Sequence, residues 1–178
     1  MSKIYYISDL HLGHENIIYM SHRPFSSVEE MDKTLIENWN SVVNDDDHVY
    51  ILGDLIYRAP DVEKYLKQLK GHLHLIRGNH DRCITNNNRC RKYFDSIDDY
   101  LEIVDNGEHV VLFHYPIAEW NGYFRKTNPS IHLYGHIHNN KNRTSDIMDT
   151  IPNCYNVGAD ILGFTPRTLN EIKKMKKG

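Results

Sequence analysis

Asp9 and His11 stand two positions apart at the end of a short apolar run, residues 3–8. On an extended chain side chains alternate between faces, so this acid and this imidazole project to the same side of a strand end. The same chemical types recur where later apolar runs break off: Asp54 after Gly53, Asn79 and His80 after Gly78, His114 after Val110-Val111-Leu112-Phe113, and His136 and His138 after Gly135. Singly, each has an ordinary use: Asp54 can cap the next element, Asn79 can hold a turn and His114 can be a satisfied core histidine. Together they would gather carboxylates, imidazoles and an amide oxygen at one edge of a sheet, where unpaired buried carboxylates are costly unless a cation neutralises them. That ligand mix, with no thiolate, suits manganese, iron, zinc or nickel better than calcium. Asp9, His11, Asp54, Asn79, His114, His136 and His138 suffice for two divalent ions. Such paired ions sit roughly 3.5–4 Å apart and need a carboxylate able to bridge. Asp54, in the middle of the set, is the candidate bridge.

The elements that must position these residues follow from periodicity. Residues 3–8 read as the first strand, and residues 13–26, without a clean period, as a loop rising over its end. Ser27 with Glu30 makes a capping box for a helix whose inner face is Met31, Leu35, Trp39 and Val42. The acidic Asn44-Asp45-Asp46-Asp47 lacks the spacing of a calcium loop and reads as a solvated turn. Residues 48–52 form the next strand, and Pro60 opens a helix with Val62, Tyr65, Leu66 and Leu69 inward, ended by Gly71. A third strand follows at residues 72–76. This alternation predicts right-handed crossovers and a largely parallel sheet, a fold whose ligands bind beyond the carboxyl ends of its strands. Residues 83–91 are polar, with a short helix expected. Strands are then predicted at 100–104, 109–113, 131–134 and 154–157, the first two joined by the hairpin signal Asn106-Gly107. This strand-rich half implies a second sheet packed on the first. Thr168 and Glu171 cap a last helix, and Lys173-Lys174-Met175-Lys176-Lys177 reads as its solvated end, where cations complement the dipole.

A length of 178 residues predicts a single domain, 1–178, able to bury a core without disulfides. The net charge of −3 argues against a surface built for nucleic acid or an anionic membrane, while a small anionic substrate remains compatible because a metal supplies local positive charge. Twelve histidines point the same way, toward metal. Cys83, Cys90 and Cys154 form an odd set without metal-finger spacing and read as reduced thiols. With no signal segment and no apolar run of spanning length, a cytoplasmic location is expected.

Asp9-x-His11, Gly53-Asp54, Gly78-Asn79-His80-Asp81, His114 and Gly135-His136-x-His138, in this order, resemble the signature of the calcineurin-like metallophosphoesterases, and Asn156-Val157-Gly158 is similar to the strand that usually follows. Asp9-Leu10-His11-Leu12-Gly13-His14 and Arg23-Pro24-Phe25 look most like small bacterial and phage members. The resemblance implies an α/β fold, a sandwich of two mixed β-sheets flanked by helices. It implies that Asp9, His11 and His138 hold one ion and Asn79, His114 and His136 a second, with Asp54 bridging. His80 would face the substrate phosphate and protonate the leaving oxygen, with Asn79 also binding substrate; Arg58, whose guanidinium matches a phosphate edge, is either an extra phosphate ligand or one half of a surface salt bridge. The implied function is a dinuclear, preferentially manganese-dependent phosphohydrolase in which a metal-bound hydroxide attacks a phosphodiester or phosphomonoester, the diester favoured. In one respect the chain departs from the protein-phosphatase branch: Tyr57 stands where an acid would orient the histidine, leaving Asp81 as a substitute. The alternatives are a metal-binding interaction scaffold and a nuclease using Arg77, Arg82, Arg89, Arg91 and Lys92. A small phosphate ester is the expected partner, nucleic acid is not favoured, no membrane is expected, and oligomeric state is left open. His14, His22, Tyr115, Trp120, Tyr123 and Phe124 occupy loops that can either roof the site or pack a loop core.

Overall fold

The computed structural model describes residues 2–175. β1 (Ile4–Ile7), β2 (His48–Ile51), β3 (His72–Ile76) and β4 (Phe94–Asp98) lie in that order in one sheet, parallel throughout. Alternate residues Tyr5, Ile7, Val49, Ile51, Leu73 and Leu75 are buried, and they share a core with Met31, Leu35 and Trp39 of α2 (Val28–Val42). Burying each such aliphatic side chain is worth roughly 1.5–3 kcal/mol, which holds the helix to the sheet far more strongly than its caps do. The N-cap is half of the expected box: Ser27 accepts from the Glu30 N–H at 3.1 Å, but the Glu30 carboxylate reaches one residue further back, to the Ser26 N–H at 2.7 Å.

The second sheet contains β5 (Tyr100–Asp105), β6 (Glu108–Phe113), β7 (Ile131–Tyr134) and β8 (Cys154–Asn156), again in chain order. Only β5 and β6 are antiparallel, so this sheet is mixed while the first is not. The turn between them has Asn106 and Gly107 both left-handed, φ 50° and 83°, as a two-residue hairpin with the right twist requires. The two sheets are stitched where β1 and β8 end. The Ser8 N–H donates to the Val157 carbonyl at 2.9 Å, and the Ala159 N–H donates to the Ser8 carbonyl at 2.8 Å.

Several elements differ from the sequence reading. Residues 13–26 are not all loop, because α1 (Glu15–Met20) forms there and buries Ile17 and Ile18. The helix expected from Pro60 shrinks to α3 (Glu63–Leu66), after which Gln68 and Leu69 bond to carbonyls three residues back and tighten the chain out of α geometry. Residues 83–91 hold two short turns, α4 (Arg82–Thr85) and α5 (Asn88–Arg91), and β4 beyond them had no alternating signal. α6 (Arg143–Thr150) was also unforeseen; Asn142 and Ser145 cap it, and its Met148 joins a smaller cluster with Val111, Trp120, Tyr134 and Cys154. Asp47 is buried rather than solvated, accepting from the Lys3 and Asn44 N–H groups at 2.7 and 2.8 Å. In α7 (Leu169–Met175) the Lys173 ammonium pairs with Glu108 at 2.6 Å instead of pointing to water, and the helix-end reading of Lys176 and Lys177 lies outside the described residues. Among the described residues no helix is long and apolar enough to cross a membrane.

Candidate metal centre

All the candidate ligands lie beyond the carboxyl ends of β1, β2, β3, β6 and β7, on loops that remain paired after the strands stop. The N–H groups of Asp9, His11 and Leu12 donate to the carbonyls of Gly53, Asp54 and Leu55, each at 3.0 Å. Strand alternation does not aim the side chains. Asp9, His11, Asp54, His136 and His138 all have positive φ, between 51° and 71°, a region costing a non-glycine residue of order 1–3 kcal/mol. Left-handed residues in close succession turn the chain sharply, and this brings Asp9 and His11, and likewise His136 and His138, round to one point.

Two groups of ligand atoms result, with one carboxylate between them. Ligand atoms of Asp9, His11 and His138 lie within 4.8 Å of one another. On the other side, the Asn79 Oδ1 is 3.1 Å from His114 Nε2 and 3.0 Å from His136 Nδ1. Asp54 Oδ2 lies 3.6 Å from His11 Nε2 and 3.8 Å from His114 Nε2, within reach of both groups. Its other oxygen, Oδ1, accepts from the His80 N–H at 2.8 Å.

These atoms fit cations and little else. Asp9 Oδ1 and both nitrogens of His11 are buried without a hydrogen-bond partner, an arrangement a folded chain rarely tolerates. His114 Nδ1 donates to the Leu52 carbonyl at 2.7 Å, which leaves Nε2 a bare lone pair facing the Asn79 oxygen. Two acceptors at that separation repel unless a positive charge lies between them. In the first group Asp9 and His11 are buried, at 0% and 3% exposure, whereas Asn79 and His136 of the second are exposed, so the second group is the more open to solvent.

Burial pushes the Asp9 carboxyl up to about 7, against the attraction of His138. Burial likewise raises Asp54 and lowers His11, His114 and His136, which keeps these imidazoles neutral and able to ligate. Against its burial, His138 is raised by its hydrogen bond to Asp160 and by Asp9. A carboxyl raised in the folded state contributes stability below its unfolded value of 3.8, and this is lost as pH climbs through about 7. Metal binding needs the ionised form. The rise in melting temperature on adding manganese should therefore be small at pH 5 and large at pH 8, with the metal-free protein gaining nothing from Asp9 at the higher pH. Melts with manganese and with chelator across that range would check it.

The sequence reading missed the groups that hold the ligands. Asp160 accepts from His138 Nδ1 at 2.8 Å and from Arg23 Nε at 2.8 Å, while Arg23 also donates to the Asp9 and Leu10 carbonyls, each at 2.7 Å. Ser8 Oγ donates to Asp9 Oδ2 at 2.8 Å, and the His136 N–H donates to the same oxygen at 2.8 Å. Gly135 is needed for closeness, since a Cβ there would collide with Ser8 Oγ and Asp9 Oδ2. The only sequence signal for Asp160 was its place just past Asn156-Val157-Gly158. Because the carboxylate fixes which His138 nitrogen faces the site, Asp160→Asn should weaken metal binding by roughly 10–100-fold, measurable by competition with a chelating dye.

Asp81 does not substitute for the acid absent at Tyr57. Its carboxylate accepts from the N–H groups of Asp54 (2.8 Å), Leu55 (3.1 Å) and Gly78 (2.7 Å), so both of its oxygens are engaged in clamping the β2 and β3 loops together. The His80 side chain is exposed, its ring 5.6 Å from that of His11 and edge-on to Tyr57 at 5.0 Å. Tyr57 in turn stacks on His14 at 3.7 Å, and the exposed Arg58 guanidinium lies over the Tyr57 ring at 5.4 Å, on the rim. Of the other loop aromatics, Tyr115 packs against His114 and His136 at 4.8 and 4.6 Å. Trp120 and Tyr123 belong to the smaller core, Phe124 is exposed, and His22 sits on the turn closing α1.

Residues 2–159 match the family described as calcineurin-like phosphoesterase superfamily domain. An uncharacterized protein of Methanocaldococcus jannaschii is 36% identical over 179 residues, covering 98% of this chain and 92% of the relative. The gene 66 protein of Mycobacterium phage L5 is 38% identical over 85 residues, covering 46% of this chain and 41% of its own length. Among solved structures, a protein of unknown function from Aquifex aeolicus superposes with a TM-score of 0.78 at 28% identity, covering 98% of this chain and 100% of that one.

Proposed function

The chain belongs to the calcineurin-like phosphoesterase superfamily, and from that premise we propose that it is a two-metal phosphohydrolase acting on phosphodiesters in preference to monoesters, with manganese as its working ion. One observation carries this reading: Asp9, His11 and His138 converge on one side of the Asp54 carboxylate, and Asn79, His114 and His136 converge on the other. Bound divalent cations would neutralise phosphoryl oxygens and bring the pKa of water toward ~7. The protein's own contribution is positioning. The exposed His80 side chain binds a phosphoryl oxygen and gives a proton to the leaving oxygen, while its backbone N–H keeps it registered against Asp54. Arg58, at the rim, offers a planar cation matched to a phosphate edge.

The diester preference rests on space. Beside Asn79 lies a cavity of about 370 Å³ bordered by Arg77, Arg82, Thr85 and Tyr115, with room for a second ester group. A metal-binding scaffold would use the unpaired, buried Asp9 Oδ1 and His11 nitrogens equally, but it has no need of the exposed His80 imidazole beside them. The nuclease reading is weakened by pairing of two of its five cations, since Arg77 bonds Asp99 and Lys92 lies 3.4 Å from Glu63. A cytoplasmic setting fits a chain whose three cysteines, Cys83, Cys90 and Cys154, cannot all pair with one another.

The test is hydrolysis of bis(4-nitrophenyl) phosphate and of 4-nitrophenyl phosphate by metal-stripped protein resupplied with manganese, iron, zinc or nickel. Turnover of the diester, strongest with manganese and abolished by chelator, is expected. No turnover with any of these ions would sink the enzyme reading.

A further inference from the structure

At the opposite, amino-terminal edge of the parallel sheet lies a second set of imidazoles that the phosphoesterase site does not use. β2 opens with His48, β3 with His72 and His74, and β4 contributes Asp95 and Ser96. Parallel register sets His48 against His72 and His74 against Ser96, so neighbouring strands bring these side chains together. The distance from Asp54 and Asn79 is on the order of 15 Å along the strands, so no ligand is shared.

We propose that His48, His74 and Asp95 form a separate site for a borderline transition-metal dication such as zinc, which clamps β2, β3 and the edge strand β4 together. Ligand atoms of the three residues already lie within 4.8 Å of one another. His48 Nδ1 and His74 Nε2 are 3.0 Å apart, close to the separation of about 3.3 Å between two nitrogens bound tetrahedrally to one zinc. The supporting contacts are those a ligand set needs. His74 places its other nitrogen, Nδ1, 3.1 Å from Ser96 Oγ, so donation there leaves Nε2 with its lone pair turned toward His48. His72 Nδ1 lies 2.8 Å from Asp95 Oδ2 and holds that carboxylate beside the pair. Stacking fixes the rings, with His48 5.0 Å from His72 and 5.3 Å from His74, and His74 4.5 Å from Tyr50. Burial, and then the proximity of His48, hold His74 below the usual imidazole range, which keeps its lone pair free at neutral pH. Exposed Asp95 and His72 give an ion a path in and leave room for water as a fourth ligand.

The purpose of such an ion is legible in the topology. β4 is paired on one side only, and although Phe94 at its start is packed into the core, its register slips between Leu73 and His74, beside Asp95. A cation bonded to β2, β3 and β4 would hold all three strand starts in register.

The experiment uses full-length, metal-stripped protein titrated with zinc by equilibrium dialysis. Wild type should bind one equivalent more than His48→Gln/His74→Gln, and exposed Asp95→Asn should weaken that equivalent at least tenfold with an unchanged circular dichroism spectrum. Cobalt should give a visible absorption band in Asp9→Asn that His74→Gln removes. Manganese-supported hydrolysis should be unaffected by Asp95→Asn, so the two sites fail separately. Equal zinc stoichiometry in wild type and in folded His48→Gln/His74→Gln, or in Asp95→Asn an affinity equal to wild type, would overturn the proposal.

Discussion

Asp9→Asn should lower manganese-supported turnover by about 10³-fold or more while leaving the melting temperature of the metal-free protein unchanged or raised. The magnitude follows from the several kcal/mol that a bound cation contributes to a phosphoryl transition state, at about 1.4 kcal/mol per tenfold. The stability half follows from the geometry. An amide oxygen at this position still accepts from Ser8 Oγ and the His136 N–H, both now 2.8 Å from Oδ2. The amide nitrogen replaces Oδ1, which is buried, has no partner and lies 3.9 Å from His138 Nε2. A carboxyl forced up to about 7 by burial is thus exchanged for a neutral group that satisfies its surroundings better. Kinetics in metal-controlled buffer, with calorimetry on the stripped variant, separate the effects. Turnover near wild type would return Asp9 to a structural role, and collapse of the stripped protein would show that the fold needs the carboxylate.

His80→Ala should cost about 10²–10⁴-fold in kcat, the usual worth of a positioned acid, with metal content unchanged. What ties residue 80 to the centre is its backbone N–H on Asp54 Oδ1, which alanine keeps. The ring itself is exposed and packs only loosely against His11 and Tyr57, so its removal leaves no buried group stranded. The loss should be much larger for an alkyl diester than for a nitrophenyl one, because a poor leaving oxygen needs the proton more. A uniform loss across leaving groups would assign His80 to phosphate binding instead. Tyr57 lies edge-on to this ring, so an aromatic contact rather than a carboxylate stands beside the imidazole at this position.

Much of this was legible in the sequence for local reasons. The α/β alternation, the Asn106-Gly107 hairpin and the helix around Met31, Leu35 and Trp39 are each written in residues that touch one another, so periodicity and turn chemistry reveal them. The chemical identities of Asp9, His11, Asp54, Asn79, His80, His114, His136 and His138 were equally plain, as was their place at strand ends. Where the reading failed, the deciding partner was distant. Asp160 was silent because its meaning lies in Arg23 and His138, and Asp81 misled because its three partners are backbone N–H groups that sequence cannot display. For Trp120 the sequence left roofing the site and packing a loop core both open, and its place in the small core beside Tyr134 decides for packing. Even the pairing of Asp9 with His11 came about by another route than the one two-residue spacing suggests. Strand alternation is a property of extended backbone, and both residues are left-handed, held there by the Gly53 and Asp54 carbonyls of a neighbouring loop. The sequence by itself determined which ligand-bearing groups stand at the strand ends; the tertiary structure decided how they face one another, because a strained φ persists only where contacts from the rest of the chain hold it.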